Sequence, residues 1–221
     1  MNFITELENE FKTKQHSENA LPMAKYMKDL FPFFGIKTDE RRAVFKSVCK
    51  KHSTEINNNA RVIGWELFLK KERELQYCGI EIIINTLKNQ YVVEDIIWIE
   101  QFLITNSWWD SVDTISKFML GAYLQQFPSE IPTVVKRFSN SENMWLNRSV
   151  ILFQLGYKSQ TDFKLLQSLC LKHSHSNDFF IRKAIGWALR EYAKTEPEAV
   201  RQFVLQSNLK PLSKKEALKN I

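Results

Sequence analysis

Ser107-Trp-Trp-Asp-Ser-Val-Asp-Thr-Ile-Ser-Lys-Phe-Met-Leu-Gly-Ala-Tyr-Leu-Gln-Gln126 is the stretch from which the fold class is read. At about 100° per residue, Val112, Ile115, Phe118, Met119 and Ala122 form one apolar stripe, which predicts a helix over 108–126. Trp108 falls within that stripe. Trp109 and Asp113, four residues apart, are neighbours on the helix surface and point largely away from it. A Trp beside an acid outside the core either fills a helix–helix groove or belongs to a site.

The same register recurs downstream. Asp110, Trp145 and Phe180 lie 35 residues apart, as do Asp113, Arg148 and Lys183, and Ile115, Val150 and Ile185. The last series is core-like throughout, whereas the middle one is polar throughout. Two-helix units repeating at such a period imply an α-solenoid in which equivalent helices line one concave surface. The polar series is therefore expected to face a single groove.

The third copy, Asp178-Phe-Phe-Ile-Arg-Lys-Ala-Ile-Gly-Trp-Ala-Leu-Arg-Glu-Tyr-Ala-Lys194, repeats the theme of a Trp off the core. Ile181, Ala184, Ile185, Ala188 and Tyr192 make its predicted buried face, and Lys183, Trp187, Arg190 and Lys194 share an arc opposite. Cations on one arc repel one another and suggest an anionic partner; the alternative is a solvated face with the Trp packed on a neighbouring helix. In the second copy Arg148 sits near Leu152 and Leu155. A charge among leucines needs a counter-ion, either a carboxylate elsewhere in the chain or a phosphate held by the guanidinium fork.

Only six Gly and six Pro in 221 residues leave little material for hairpins, and the periodicity is helical almost throughout. It predicts helices over 3–14, 22–30, 39–51, 59–70, 72–88, 92–105, 108–126, 130–139, 143–157, 162–173, 178–194, 197–207 and 214–220, within a single domain spanning 1–221. Thr195-Glu-Pro-Glu198 and Ser213-Lys-Lys-Glu216 read as capping boxes, and Pro22 suits a first helical turn. A net charge of +6 favours an acidic partner. Three well-separated cysteines without CxxC spacing fit reduced thiols rather than a disulfide framework or a zinc site. The acidic N-terminus lacks a signal-peptide pattern and no apolar run reaches bilayer length, so the chain is expected to be soluble and cytoplasmic, with no membrane partner. His16, His52, His173 and His175 lie in polar segments expected at the surface and are assigned no chemistry.

Met23-Ala-Lys-Tyr-Met-Lys28, Phe31-Pro-Phe-Phe-Gly-Ile-Lys-Thr-Asp-Glu-Arg-Arg42, Ser107-Trp-Trp-Asp-Ser-Val-Asp113, Trp145-Leu-Asn-Arg148, Ile151-Leu-Phe-Gln-Leu155, Ala184-Ile-Gly-Trp-Ala-Leu-Arg-Glu-Tyr-Ala-Lys194 and Pro211-Leu-Ser-Lys-Lys-Glu-Ala217 together resemble the AlkD family of bacterial DNA-alkylation-repair glycosylases. The resemblance covers essentially the whole chain. It implies an all-α, right-handed superhelix of HEAT-like repeats that cradles duplex DNA and excises N3- or N7-alkylated purines in base-excision repair, without a deep base pocket. It also implies that Trp109, Asp113 and Trp187 match catalytic positions and that Arg148 matches a DNA-backbone contact. Tyr26, Thr38, Arg42, Arg190 and Lys194 fall in segments that approach DNA in this family. Lys37 and Gly156 are positions where this chain departs from the pattern.

An alkylated purine is cationic and leaves without a general acid, so the costly species is the oxocarbenium-like sugar. On this reading Asp113 stabilises that cation and positions water, and Trp109 and Trp187 flank it with their negative ring faces. Arg148, Lys183, Arg190 and Lys194 hold phosphates. No metal or cofactor is required, a single catalytic carboxylate without an obvious nucleophilic Lys implies a monofunctional glycosylase, and the enzyme is expected to be a monomer acting on double-stranded DNA. The competing readings are a non-catalytic DNA-structure-binding relative and a protein-interaction solenoid.

Overall fold

The computed structural model describes residues 1–219. It is all-helical, with no strand among the described residues. The chain forms two compact units, one of residues 1–90 and one from Tyr91 onward.

The first unit contains α1 (Phe3–Thr13), α2 (Ser17–Tyr26), α3 (Thr38–Lys51), α4 (Ser53–Phe68) and α5 (Arg73–Thr86). Phe3, Leu7, Phe11, Leu67 and Phe68 are fully buried in its core. α2 begins earlier than expected and carries Pro22 in its interior rather than in its first turn. α4 also starts early, at Ser53, and carries a kink inside it at Asn59, where φ is −132°.

His52 overturns its expected surface role. Its two ring nitrogens lie 2.8 Å from Glu6 Oε2 and 2.9 Å from Glu55 Oε2, while Glu55 accepts the Phe3 backbone N–H that begins α1. With a carboxylate at each nitrogen, the ring is held as a doubly donating imidazolium. The hydrogen bond to Glu6 holds His52 above its ordinary 6.5, and the same bond, with Lys51, holds Glu6 below its ordinary 4.5. A raised His value gives stability that is complete below 6.5 and lost as pH rises through the folded-state value. A depressed Glu value gives stability that is present above 4.5 and lost on acidification. The pair is therefore expected to hold α1 best between 4.5 and 6.5. Thermal melts across pH should show an alkaline loss that His52→Gln abolishes; retention of that loss in the variant would assign it to another group.

The second unit contains α6 (Asp95–Ile104), α7 (Trp109–Ile115), α8 (Gly121–Gln126), α9 (Ile131–Ser139), α10 (Met144–Leu152), α11 (Phe163–Lys172), α12 (Phe179–Ala193), α13 (Pro197–Gln206) and α14 (Pro211–Ala217). Its repeat is visible as contacts between residues 33 to 36 apart. Tyr91 and Gln126 exchange two hydrogen bonds, Tyr157 donates to the Gly121 carbonyl, Lys172 to Ser139 and Lys210 to Asn177. The core series Ile115, Val150 and Ile185 is fully buried.

Several boundaries differ from the sequence reading, each for a local reason. A π-helical turn, Ser116–Leu120, links α7 to α8. Its wider winding shifts the stripe, so Phe118 is exposed while Leu120, Tyr123 and Leu124 are buried. α10 stops at Leu152 because the chain turns out through Gly156, whose φ of +89° is left-handed and favours glycine. Neither predicted capping box forms: α13 is preceded by Glu196, and α14 begins at Pro211, which places Ser213 and Glu216 inside the helix. The predicted end of the last helix, at 220, lies outside the described residues. No helix among the described residues is long and apolar enough to cross a membrane.

Candidate active site

Trp108 is the N-cap of α7 in extended conformation (φ −152°, ψ 163°), so it leaves the helical stripe on which the periodicity placed it. Its half-buried ring meets Trp145 from α10 and Phe180 from α12 at centroid distances of 5.8 and 5.2 Å, and Trp145 and Phe180 lie 5.2 Å apart. One aromatic from each of three successive repeats thus forms a cluster. The Trp108 Nε1–H is buried and finds no acceptor among the described residues.

Asp113 stands one helical turn beyond Trp109, and its side chain is 13% exposed. Arg148 reaches it from α10, donating from Nε to Oδ1 at 2.7 Å and from Nη2 to Oδ2 at 2.8 Å. The third guanidinium contact, from Nη1, goes to the Phe180 carbonyl at the start of α12. α12 is itself fixed there by Asp178, whose side chain accepts the N–H groups of Phe180 and Ile181. Burial lifts the Asp113 carboxyl above its ordinary 3.8, Arg148 opposes the lift, and the nearby Asp110 charge adds to it. A guanidinium fork on both oxygens holds the group as a carboxylate at neutral pH. With two of about four acceptor positions occupied, the carboxylate keeps capacity for a water or a developing cation.

Arg148 is 4% exposed, and in the free chain its counter-ion is the Asp113 carboxylate. Two of the three members of the polar 35-residue series, Asp113 and Arg148, pair with each other.

The cationic arc of α12 is also supplied with an anion from within. Glu216 of α14 bridges Lys183 Nζ at 2.9 Å and Arg190 Nη1 at 2.8 Å. Lys194 is exposed and pairs with Glu191 of its own helix. Trp187 is half-buried and packs on the core formed by residues such as Ile185 and Leu189, not opposite it. The reason is that α12 is covered on two sides: α14 packs over Gly186, where a β-carbon would lie 2.4 Å from the Glu216 Cβ. Trp109 is half-buried at the first position of α7. Tyr26, Thr38 and Arg42 belong to the first unit and are exposed, with Arg42 Nε 3.7 Å from Glu81.

Sequence reading missed Glu216 and the Phe180 carbonyl. The Asp113–Arg148 pair was legible in principle, since the two occupy equivalent positions of adjacent repeats.

A sequence model of the family described as DNA alkylation repair enzyme matches residues 7–221. The chain belongs to the DNA alkylation repair enzyme family. A solved structure of a predicted DNA alkylation repair enzyme from Enterococcus faecalis is 32% identical, with 94% of this chain and 96% of that chain covered at a TM-score of 0.83. The smu.31 protein from Streptococcus mutans UA159, 15% identical over 82% of this chain and 99% of its own, shares the fold at a TM-score of 0.56. No curated protein matches. Family membership assigns the chain a role in DNA alkylation repair, with DNA as substrate.

Proposed function

We propose that this DNA alkylation repair family member is a monofunctional glycosylase that hydrolyses the N-glycosidic bond of N3- and N7-alkylated purines in duplex DNA. The observation that carries the reading is a buried carboxylate, Asp113, oriented on both oxygens by Arg148 and left with an accessible edge. A fixed negative charge of this kind suits a reaction whose leaving group is already cationic and whose cost lies in the sugar cation.

In this mechanism the alkylated base departs with the bonding electron pair and becomes neutral, so no acid and no cofactor is needed. Asp113 stabilises the cationic sugar and orients the water that adds to C1′; the proton that this water loses passes by way of Asp113 to solvent, leaving an abasic site. Trp109 and Trp187 flank the sugar with their ring faces. Arg148 acts as a positioning residue for Asp113. Lys183, Arg190, Lys194, Tyr26, Thr38 and Arg42 contact the backbone and set the register. The enzyme works as a cytoplasmic monomer with no membrane partner.

The deciding experiment is release of 7-methylguanine from methylated duplex DNA by the purified protein, with binding to undamaged duplex measured in parallel. Base release above the spontaneous rate is expected. Binding without release would move the chain to the non-catalytic DNA-binding reading, and absence of both would favour a protein-interaction role.

A further inference from the structure

Three cations on one helical arc need a reason to stay there. Lys183 and Arg190 are seven residues apart on α12, two turns along one face and roughly 10 Å in rise. A single carboxylate spans them, giving Oε1 to Lys183 and Oε2 to Arg190. Glu216 cannot retreat by moving its helix. The backbone of α14 is pressed against Gly186, and Ser213 Oγ donates to the Arg182 carbonyl at 3.0 Å. Displacement therefore falls to the Glu216 side chain, 16% exposed, while its backbone carbonyl keeps a 3.4 Å hydrogen bond from Arg190 Nη1; of its two partners Lys183 is the more exposed, at 36% against 26%.

The chemistry of this seat matches a phosphodiester. A backbone phosphate also carries one negative charge over two unbridged oxygens, and Lys and Arg are its usual partners. We propose that in the free protein the Glu216 carboxylate occupies the place of a DNA backbone phosphate, bridging Lys183 and Arg190 until duplex DNA displaces it. The inference rests on the DNA-binding reading above. Glu216 then acts as a built-in competitor. It keeps the cations extended and in register while subtracting from affinity for every duplex, damaged or not. Because it opposes a backbone contact, its effect is independent of sequence and depends on salt.

Glu216→Gln removes the charge and keeps the shape. Its binding to undamaged duplex of mixed sequence is expected to tighten about tenfold at low salt. The gain should shrink as salt is raised, because salt screens the ion pairs that only the wild type must break before it binds. It should also shrink in the Lys183→Ala background and vanish when Arg190→Ala is added. Unchanged or weaker binding by a folded Glu216→Gln would overturn the proposal and make Glu216 a brace for α14. Should that variant fail to fold, Glu216→Asp keeps the charge but is a methylene too short to reach both cations, and must still tighten binding; if it does not, the proposal fails. A wild-type protein that does not bind duplex at all removes the DNA reading and this inference together. Wild-type binding and base release with no gain in the variants removes only the inference.

Discussion

Asp113→Asn is expected to lower single-turnover release of 7-methylguanine about a hundredfold while leaving affinity for duplex DNA within about twofold. Loss of one preorganised electrostatic group costs about 2.7–4 kcal/mol of transition-state stabilisation, which corresponds to that factor or more. Binding survives because Asp113 is acidic and contributes no attraction to phosphate. The substitution has a structural cost as well. Arg148, 4% exposed, loses its counter-ion, and an Asn amide turned toward the guanidinium sets donor against donor. Breaking a buried pair from one side costs about 3–5 kcal/mol at its fullest. Asn retains one acceptor, so stability should fall by less, about 2 kcal/mol. Kinetics must therefore be read well below the variant's melting temperature. The wild-type rate should also fall on acidification, through an Asp113 value lying above the ordinary 3.8, because protonation cancels the charge the sugar cation needs. Full activity in a folded Asp113→Asn would take this residue out of the mechanism and leave Asp110 as the acid to test.

A second large effect is expected in the first unit, at Glu74. This carboxylate is fully buried and accepts three consecutive backbone N–H groups, from Phe34 at 3.1 Å, Gly35 at 2.9 Å and Ile36 at 3.2 Å. The neighbouring Arg73 N–H bonds the Pro32 carbonyl and its guanidinium lies 3.8 Å from the Phe31 ring centre, so the start of α5 holds the whole segment that leads into α3. Burial pushes the Glu74 carboxyl up, and the three N–H groups pull against that shift. Glu74→Ala strands three buried donors at about 1–3 kcal/mol each, partly relieved by water entering the space. The expected loss is about 3–5 kcal/mol, large enough to show as a separate early transition in denaturant. Glu74→Gln, which keeps one acceptor oxygen, should lose less than half as much. An alanine variant within about 1 kcal/mol of wild type would mean that the segment is held by its phenylalanines instead.

The contrast between these two carboxylates indicates what sequence can carry. Apolar periodicity located nearly every helix, because a stripe of Ile, Leu and Val needs a core to face. The 178–194 expectation, for example, differs from α12 by a residue at each end. It failed where the helix changes its own period. The π turn at Ser116–Leu120 delivers Phe118 to solvent, and nothing in the residue types announces that. At the site, Asp113 and Trp109 were legible as residues off the stripe, and Arg148 as a charge needing a counter-ion. What was not legible was the choice between carboxylate and phosphate, since both satisfy the same guanidinium. Ser213-Lys-Lys-Glu216 is a sharper case. Its spacing is that of a capping box, yet docking of α14 on α12 commits the serine to the Arg182 carbonyl and the glutamate to Lys183 and Arg190. Local motifs describe options, and distant packing selects among them.

Helical repeat arrays are commonly regarded as modular, so that losing a repeat shortens the array and spares the rest. The Asp113–Arg148–Phe180 chain of contacts removes that freedom here. The carboxylate stands on one repeat, the fork that aims it on the next, and the carbonyl that steadies the fork on a third. Deleting the repeat around α10 would leave an array that still presents Asp113, but as an unaimed acid. The aimed carboxylate is thus a property of the seam between repeats.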